Sequence, residues 1–278
     1  MPDHPLPATP AQLQALYARL CAAAQETPYE GSLPLWVAAR RCGWATPAAC
    51  AALRALPGVR LGPDRLDIGA DLAPGAGLNA LLAQAAQALR QAGCVRGWRN
   101  ELLDVHPEDG SGAIGVLERA AMRPLGLLTQ AVHLNAWTPD GRLWIARRAL
   151  TKNSDPGMWD TLVGGLASSG ETLERSLLRE CAEEAGLSPA DVAGRTPLRT
   201  ILRMRRRLPE GLQNEDILTS TCVLAPSAAP RNQDGEVMEI RHEPLDTVMR
   251  MLEAGEFTEE AALVIVQDML FRFCKEPA

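Results

Sequence analysis

Hydrophobic and polar positions change their period partway along the chain. In the first third, apolar residues recur mostly at helical spacing. Thr9-Pro10 supplies an N-cap and a first-turn proline for a helix to about Gln25. Ser32 opens a second such stretch, "SLPLWVAARRCGW", predicted as a helix. Thr46-Pro47 opens a third, stopped by Pro57-Gly58. "VRLGPDRLDIG" alternates around Gly62-Pro63-Asp64 and predicts a hairpin. One more helix is predicted from about Asn79 to Gln91.

From Trp98 onward strand-like alternation dominates. "WRNELLDVHP" and "AIGVLERAAM" flank a short loop and are candidates to pair. "AVHLNAWTP" and "RLWIARRAL" meet at Asp140-Gly141, a strong hairpin signal. "PLRTILRMRRRLP", "NEDILTSTCVLA" and "GEVMEIRHEP" also read as strands. Two helices follow, at about Leu245–Ala254 and Glu259–Lys275. The change of pattern places a boundary near Met122-Arg123-Pro124: a mainly helical lobe with a small β element at 1–122, and a second domain at 123–278.

Composition narrows the function classes. A net charge of -6 argues against a general nucleic-acid binder, which shows a basic face. The seven cysteines are odd in number, scattered, and without C-x-x-C or zinc spacing. They suggest a reduced, cytoplasmic protein. The opening "MPDHPLPATP" is no signal peptide, and the longest aliphatic run, Ala261–Val266, is too short for a bilayer. No membrane partner is expected.

One stretch breaks the ordinary pattern. "GGLASSGETLERSLLRECAEEAGL", Gly164–Leu187, reads as a glycine loop followed by a helix. Glu180, Glu183 and Glu184 fall within an arc of about 100° on that helix. Leu178, Cys181, Ala182 and Ala185 lie opposite and are expected to pack on a sheet. Carboxylates this close repel unless protons or cations intervene. Hard cations such as Mg2+ or Mn2+ take oxygen ligands of this kind and keep positions for phosphate oxygens. For an arbitrary E-x-x-E-E the plain reading is a solvated acidic face. The wider spacing says more: Gly165, Glu171, Arg179-Glu180, Cys181, Glu183-Glu184, Gly186 and Leu187 fit G-x5-E-x7-R-E-U-x-E-E-x-G-U, with U apolar.

This pattern, at 165–187, resembles the box of the Nudix hydrolases. The resemblance implies an α+β fold, an α/β/α sandwich around a mixed sheet, and metal-dependent cleavage of a diphosphate linkage. It implies Glu180 and Glu184 as main metal ligands, Glu183 as a further ligand or water-activating base, and the Gly164 carbonyl as a backbone ligand. Gly165, Glu171, Arg179 and Gly186 take structural parts. Glu215 and Glu236 are two candidates for the additional glutamate that several members use outside the box. Beyond the box, "GRLWIARRALTKNSDPGMWDTLVGGL", "DGEV" and "GEFTEEAALVIVQDML" resemble the branch related to thiamine pyrophosphokinase. That likeness implies hydrolysis of thiamine, oxythiamine or oxothiamine diphosphate to the monophosphate and phosphate.

Four further residues are candidates for substrate contact. Lys152 is the only lysine before Lys275 and suits a phosphate. Trp159 could stack on a heteroaromatic ring, though a core place is the plainer reading. His133 and Asn135 share one strand face and could line a pocket. Other readings are a Nudix hydrolase of ADP-ribose or another nucleoside diphosphate derivative, and a Nudix-type ligand sensor joined to a DNA-binding winged helix. Against the regulator, the wing candidate carries two arginines and two aspartates, a poor phosphate-binding face. The expected partner is a small-molecule diphosphate, with a homodimer as an option.

Overall fold

A computed structural model describes residues 8–273. In chain order the elements are α1 (Pro10–Ala23), β1 (Leu33–Val37), β2 (Arg40–Ala45), α2 (Pro47–Leu53), β3 (Val59–Leu61), β4 (Leu66–Ile68) and α3 (Ala76–Gln91). Then come β5 (Leu102–Val105), β6 (Gly115–Glu118), α4 (Arg119–Met122), β7 (Leu128–Trp137), β8 (Leu143–Arg148), β9 (Trp159–Thr161) and β10 (Val163–Leu166). The remainder is α5 (Leu173–Ala185), β11 (Arg199–Leu208), β12 (Gly211–Val223), β13 (Val237–Glu243), α6 (Leu245–Glu253) and α7 (Glu259–Phe273).

The first part differs from its predicted form at one element. Residues 33–45 form a hairpin, β1–β2, where a helix was expected. Val37 pairs with Arg40, so Ala38 and Ala39 alone make the turn, with φ of 49° and 57°. A two-residue turn with both φ positive matches strand twist but disfavours alanine. Tertiary burial decides: Leu35, Val37 and Cys42 are fully buried. β1 also pairs in parallel with β4, giving a four-stranded sheet in the order β2-β1-β4-β3. Its core is shared with α2 and α3. Only the helix expected at 33–45 is replaced; the hairpin expected around Gly62 forms as β3–β4, within this larger sheet. β5 and β6 pair separately.

The second part holds a seven-stranded mixed sheet. Its path is β11-β12-β7-β8-β13, with β10 on β7 and β9 on β8. β12 runs parallel to β7; the other pairs are antiparallel. α5 covers one face through Leu177, Cys181 and Ala185 against Val132, Leu134 and Ala136. α6 and α7 pack against Trp137, Ile145 and Trp159. Helices thus flank both faces, the α/β/α arrangement expected. Among the described residues no sheet runs through both parts. α1 crosses the expected boundary, since Leu13 and Leu16 share a core with α7.

Candidate active site

The box folds as a tight strand, a loop and a helix. β10 carries Gly164 and Gly165 and pairs with β7, Gly164 opposite His133. Thr172 caps α5, its hydroxyl accepting the Arg175 N–H. Gly186 ends the helix in the left-handed region, φ 63°, where a side chain is strained. The Leu187 N–H then returns to the Cys181 carbonyl at 2.9 Å.

The orientation of α5 departs from the expected one. Its buried arc is Ser176, Leu177, Glu180, Cys181, Glu184 and Ala185. Ala182, expected on the sheet side, is exposed, and Leu178 is half-buried. Glu180 and Glu184 therefore turn inward, 8% and 6% exposed, while Glu183 faces outward. Charge alone suggested a common polar face; a partial rotation about the helix axis splits the three.

Each inward carboxylate meets β10. Glu184 accepts the Gly164 N–H at 2.9 Å. A Cβ at Gly165 would overlap the Glu180 carboxyl, so only glycine lets the strand pass there. Arg179 lies between Glu171 (3.1 Å), Glu180 (2.7 Å) and Glu183 (3.1 Å), and donates to the Leu166 carbonyl at 3.2 Å. It ties the glycine loop to the helix. Burial pushes Glu184 up to about 8, against the opposing pull of Lys152, and it also raises Glu180.

Lys152 reaches this cluster from the loop after β8. Its ammonium pairs with Glu236 and stands 3.6 Å from Glu184. Lys152 and Arg99 hold Glu236 below the usual carboxylate range despite its burial. Arg148 and Asp160 pair at 2.9 Å beside them, two residues that sequence reading missed. Both line a small cavity with Lys152, Glu184 and Glu236. Only their β8–β9 pairing brings them together.

The other candidates are spread over β7, β9 and β12. His133 packs against Gly164, with Nδ1 3.1 Å from Thr161 Oγ1 and Nε2 3.8 Å from Glu260. Asn135 donates to the Val264 carbonyl of α7. Trp159 is core, its ring covered by Arg241 at 4.2 Å. Glu215 is 3% exposed and accepts from Thr129 (2.6 Å) and Gln213 (2.9 Å). Burial, then the charge of Glu260, pushes it up to about 7. Three arginines of β11 are ion-paired: Arg203 with Asp216, Arg206 with Asp155, Arg207 with Glu26.

Among the described residues no three His, Cys, Asp or Glu side chains converge as a ready cage. The α5 carboxylates nevertheless suit a hard divalent cation. Both are buried, both are pushed toward the neutral form by lost hydration, and both abut glycine backbone. A cation of oxygen preference removes that penalty.

Comparison with known proteins agrees with this geometry. Residues 128–263 match the NUDIX domain family. Nudix hydrolase 24, chloroplastic, of Arabidopsis thaliana is 33% identical over 189 residues, covering 66% of this chain and 51% of that protein. Nudix hydrolase 20, chloroplastic, of the same plant is 32% identical over 188 residues, covering 66% and 50%. The chain thus spans about half the length of these two relatives. The isopentenyl-diphosphate Delta-isomerase of Klebsiella pneumoniae (strain 342) is 30% identical over 141 residues, covering 50% of this chain and 74% of that one. With its glycine strand and acidic helix in place, the chain belongs to the Nudix superfamily.

Proposed function

We propose that the protein is a divalent-metal-dependent Nudix hydrolase that cleaves a diphosphate, preferring thiamine-type diphosphates. One observation carries the reading: Glu180 and Glu184 are buried against the backbone of Gly164 and Gly165, with Lys152 beside them. Glu180, Glu184 and the Gly164 carbonyl would hold Mg2+ or Mn2+, which when bound neutralises phosphate charge and lowers the pKa of water. Lys152 then supplies a point charge to a phosphate oxygen. Arg179 keeps α5 and the glycine loop in register. Glu183, which faces outward and pairs with Arg179, would take a proton from water.

The thiamine preference rests on the branch likeness and on one contact. Lys152 and Glu236, from two of the segments that carry the likeness, form a single ion pair next to Glu184. ADP-ribose and other nucleoside diphosphate derivatives are the alternative substrates. Likeness to the isomerase brings a further reading, shifting a double bond in an isoprenoid diphosphate. Against it, the neighbouring cleft floor is polar, with Thr129, Gln213, Asn214 and Glu215. A hydrocarbon tail would strip water from such groups without replacing its hydrogen bonds. The six described cysteines are free, which supports a reducing compartment such as the cytoplasm. Among the described residues no helix is long and apolar enough to cross a membrane.

The test is a phosphate-release screen with Mg2+ and Mn2+ over thiamine, oxythiamine and oxothiamine diphosphates, ADP-ribose, nucleoside triphosphates and isopentenyl diphosphate. Release of phosphate from the thiamine compounds is expected. An isomerised isoprenoid product without phosphate release would refute the hydrolase.

A further inference from the structure

Four arginines converge where the two parts meet. Arg96 and Arg99 stand between α3 and β5, and Arg119 and Arg123 at the ends of α4. With Lys152 they line a small cleft of about 70 Å³. Five cations face two carboxylates there, Glu210 and Glu215, in a chain of net charge -6. All four arginines precede residues 128–263, the part that matches the NUDIX domain.

The ion pairs leave this charge available. Arg119 meets Glu101 at 2.7 Å, Arg123 meets Glu210 at 2.7 Å, and Arg99 meets Glu236 at 3.3 Å. A guanidinium has five N–H donors, so each keeps donors to spare. Arg96 is exposed and has no carboxylate within 4.0 Å among the described residues. Were the arginines only a clamp between the two parts, Arg96 would have an acidic mate. Glu236 touches both Arg99 and Lys152, and Lys152 stands near Glu184. Alternating ion pairs, Arg99–Glu236–Lys152–Glu184, therefore link the cleft to α5.

We infer that this cleft binds the terminal phosphate, the one released when the anhydride is cleaved, so the part before the NUDIX domain selects ligands that end in a free diphosphate. The inference rests on the hydrolase reading and gives it a specificity element. A terminal phosphate carries about one more negative charge than a bridged one near neutral pH. Bidentate guanidinium contacts read such an end well. Diphosphates bridged between two groups, such as ADP-ribose, present no such end.

The experiment is calorimetric titration of the full chain with inorganic diphosphate, in EDTA and at low ionic strength, where exposed charges are least screened. Arg96→Ala with Arg99→Ala should weaken binding about tenfold, roughly 1.4 kcal/mol. Arg96→Ala alone should weaken it in part. A control pair of exposed arginines off the cleft, Arg54→Ala with Arg175→Ala, should change it less than twofold. Melting temperatures verify folding of each variant. Absent binding by the wild type, unchanged binding by the cleft variant, or equal weakening by the control pair overturns the inference. Turnover is measured in parallel. Weakened binding without any diphosphate hydrolysis by the wild type would sink the hydrolase reading and keep the cleft; normal hydrolysis with unchanged binding would do the reverse.

Discussion

Glu184 accepts the backbone N–H of Gly164 at 2.9 Å, joining the acidic helix to the glycine strand. Glutamine keeps that bond through its amide oxygen but loses the charge. Glu184→Gln should therefore fold normally and lose about 100-fold or more in kcat, the order seen when one preorganised electrostatic group is removed. Steady-state phosphate release and a thermal melt check both halves. Near-normal turnover would remove the box from catalysis.

Stability should fall as pH rises. Glu184 and Glu215 are raised in the folded state to about 8 and about 7, both first by burial. Glu183 pushes Glu180 up, Glu180 pushes Glu184 up, Glu260 pushes Glu215 up, and Arg179, Lys152 and Arg123 pull the other way. Between the ordinary carboxylate range and these values the folded chain binds more protons than the unfolded one, so stability drops across that window. The lowered groups, such as Glu101 and Glu236, act below it. In EDTA the melting temperature should be higher at pH 5 than at pH 8. Glu184→Gln and Glu215→Gln should each flatten the slope. A wild-type melt that rises from pH 5 to pH 8 would contradict this.

Gly165→Ala should disturb the site at its base. The added methyl meets the Glu180 carboxyl, which Arg179 holds. Overpacking of this kind costs about 1–3 kcal/mol. A lower melting temperature together with reduced turnover is expected; an unchanged kcat would show that Glu180 can move aside freely.

Lys152→Met should separate substrates. Without the ammonium, kcat/KM for thiamine diphosphate should fall more than that for ADP-ribose, because the terminal phosphate has more charge to lose. Equal losses would make Lys152 a general support for Glu236 and Glu184. A wild type that prefers ADP-ribose tenfold, about 1.4 kcal/mol of transition-state binding, would exclude the thiamine preference.

Local signals carried much of this into the sequence. Asp140-Gly141 marked the β7–β8 hairpin, and the box spacing placed Gly164, Glu180 and Glu184 together. Residues 33–45 misled because a short apolar run suits helix or strand, and Ala38-Ala39 carries no turn signal. On α5 the packing of Cys181 and Ala185 sets the rotation, and that depends on Val132 and Leu134 of a distant strand. Arg148, Asp160 and the four cleft arginines were silent for the same reason. Each gains meaning only from residues far along the chain.

The packing of α1 on α7 has a consequence for synthesis. Leu13 and Leu16 find Ala261, Ile265 and Met269 only after everything from Ala23 to Glu259 has been made. α1 is made long before α7, so its apolar face stays open until that partner follows. Contacts of such sequence separation slow folding. A fragment starting at residue 123 would meet the opposite problem, since α7 would present an uncovered groove and invite aggregation. The catalytic half is thus no detachable cassette: it borrows its lid from the front of the chain.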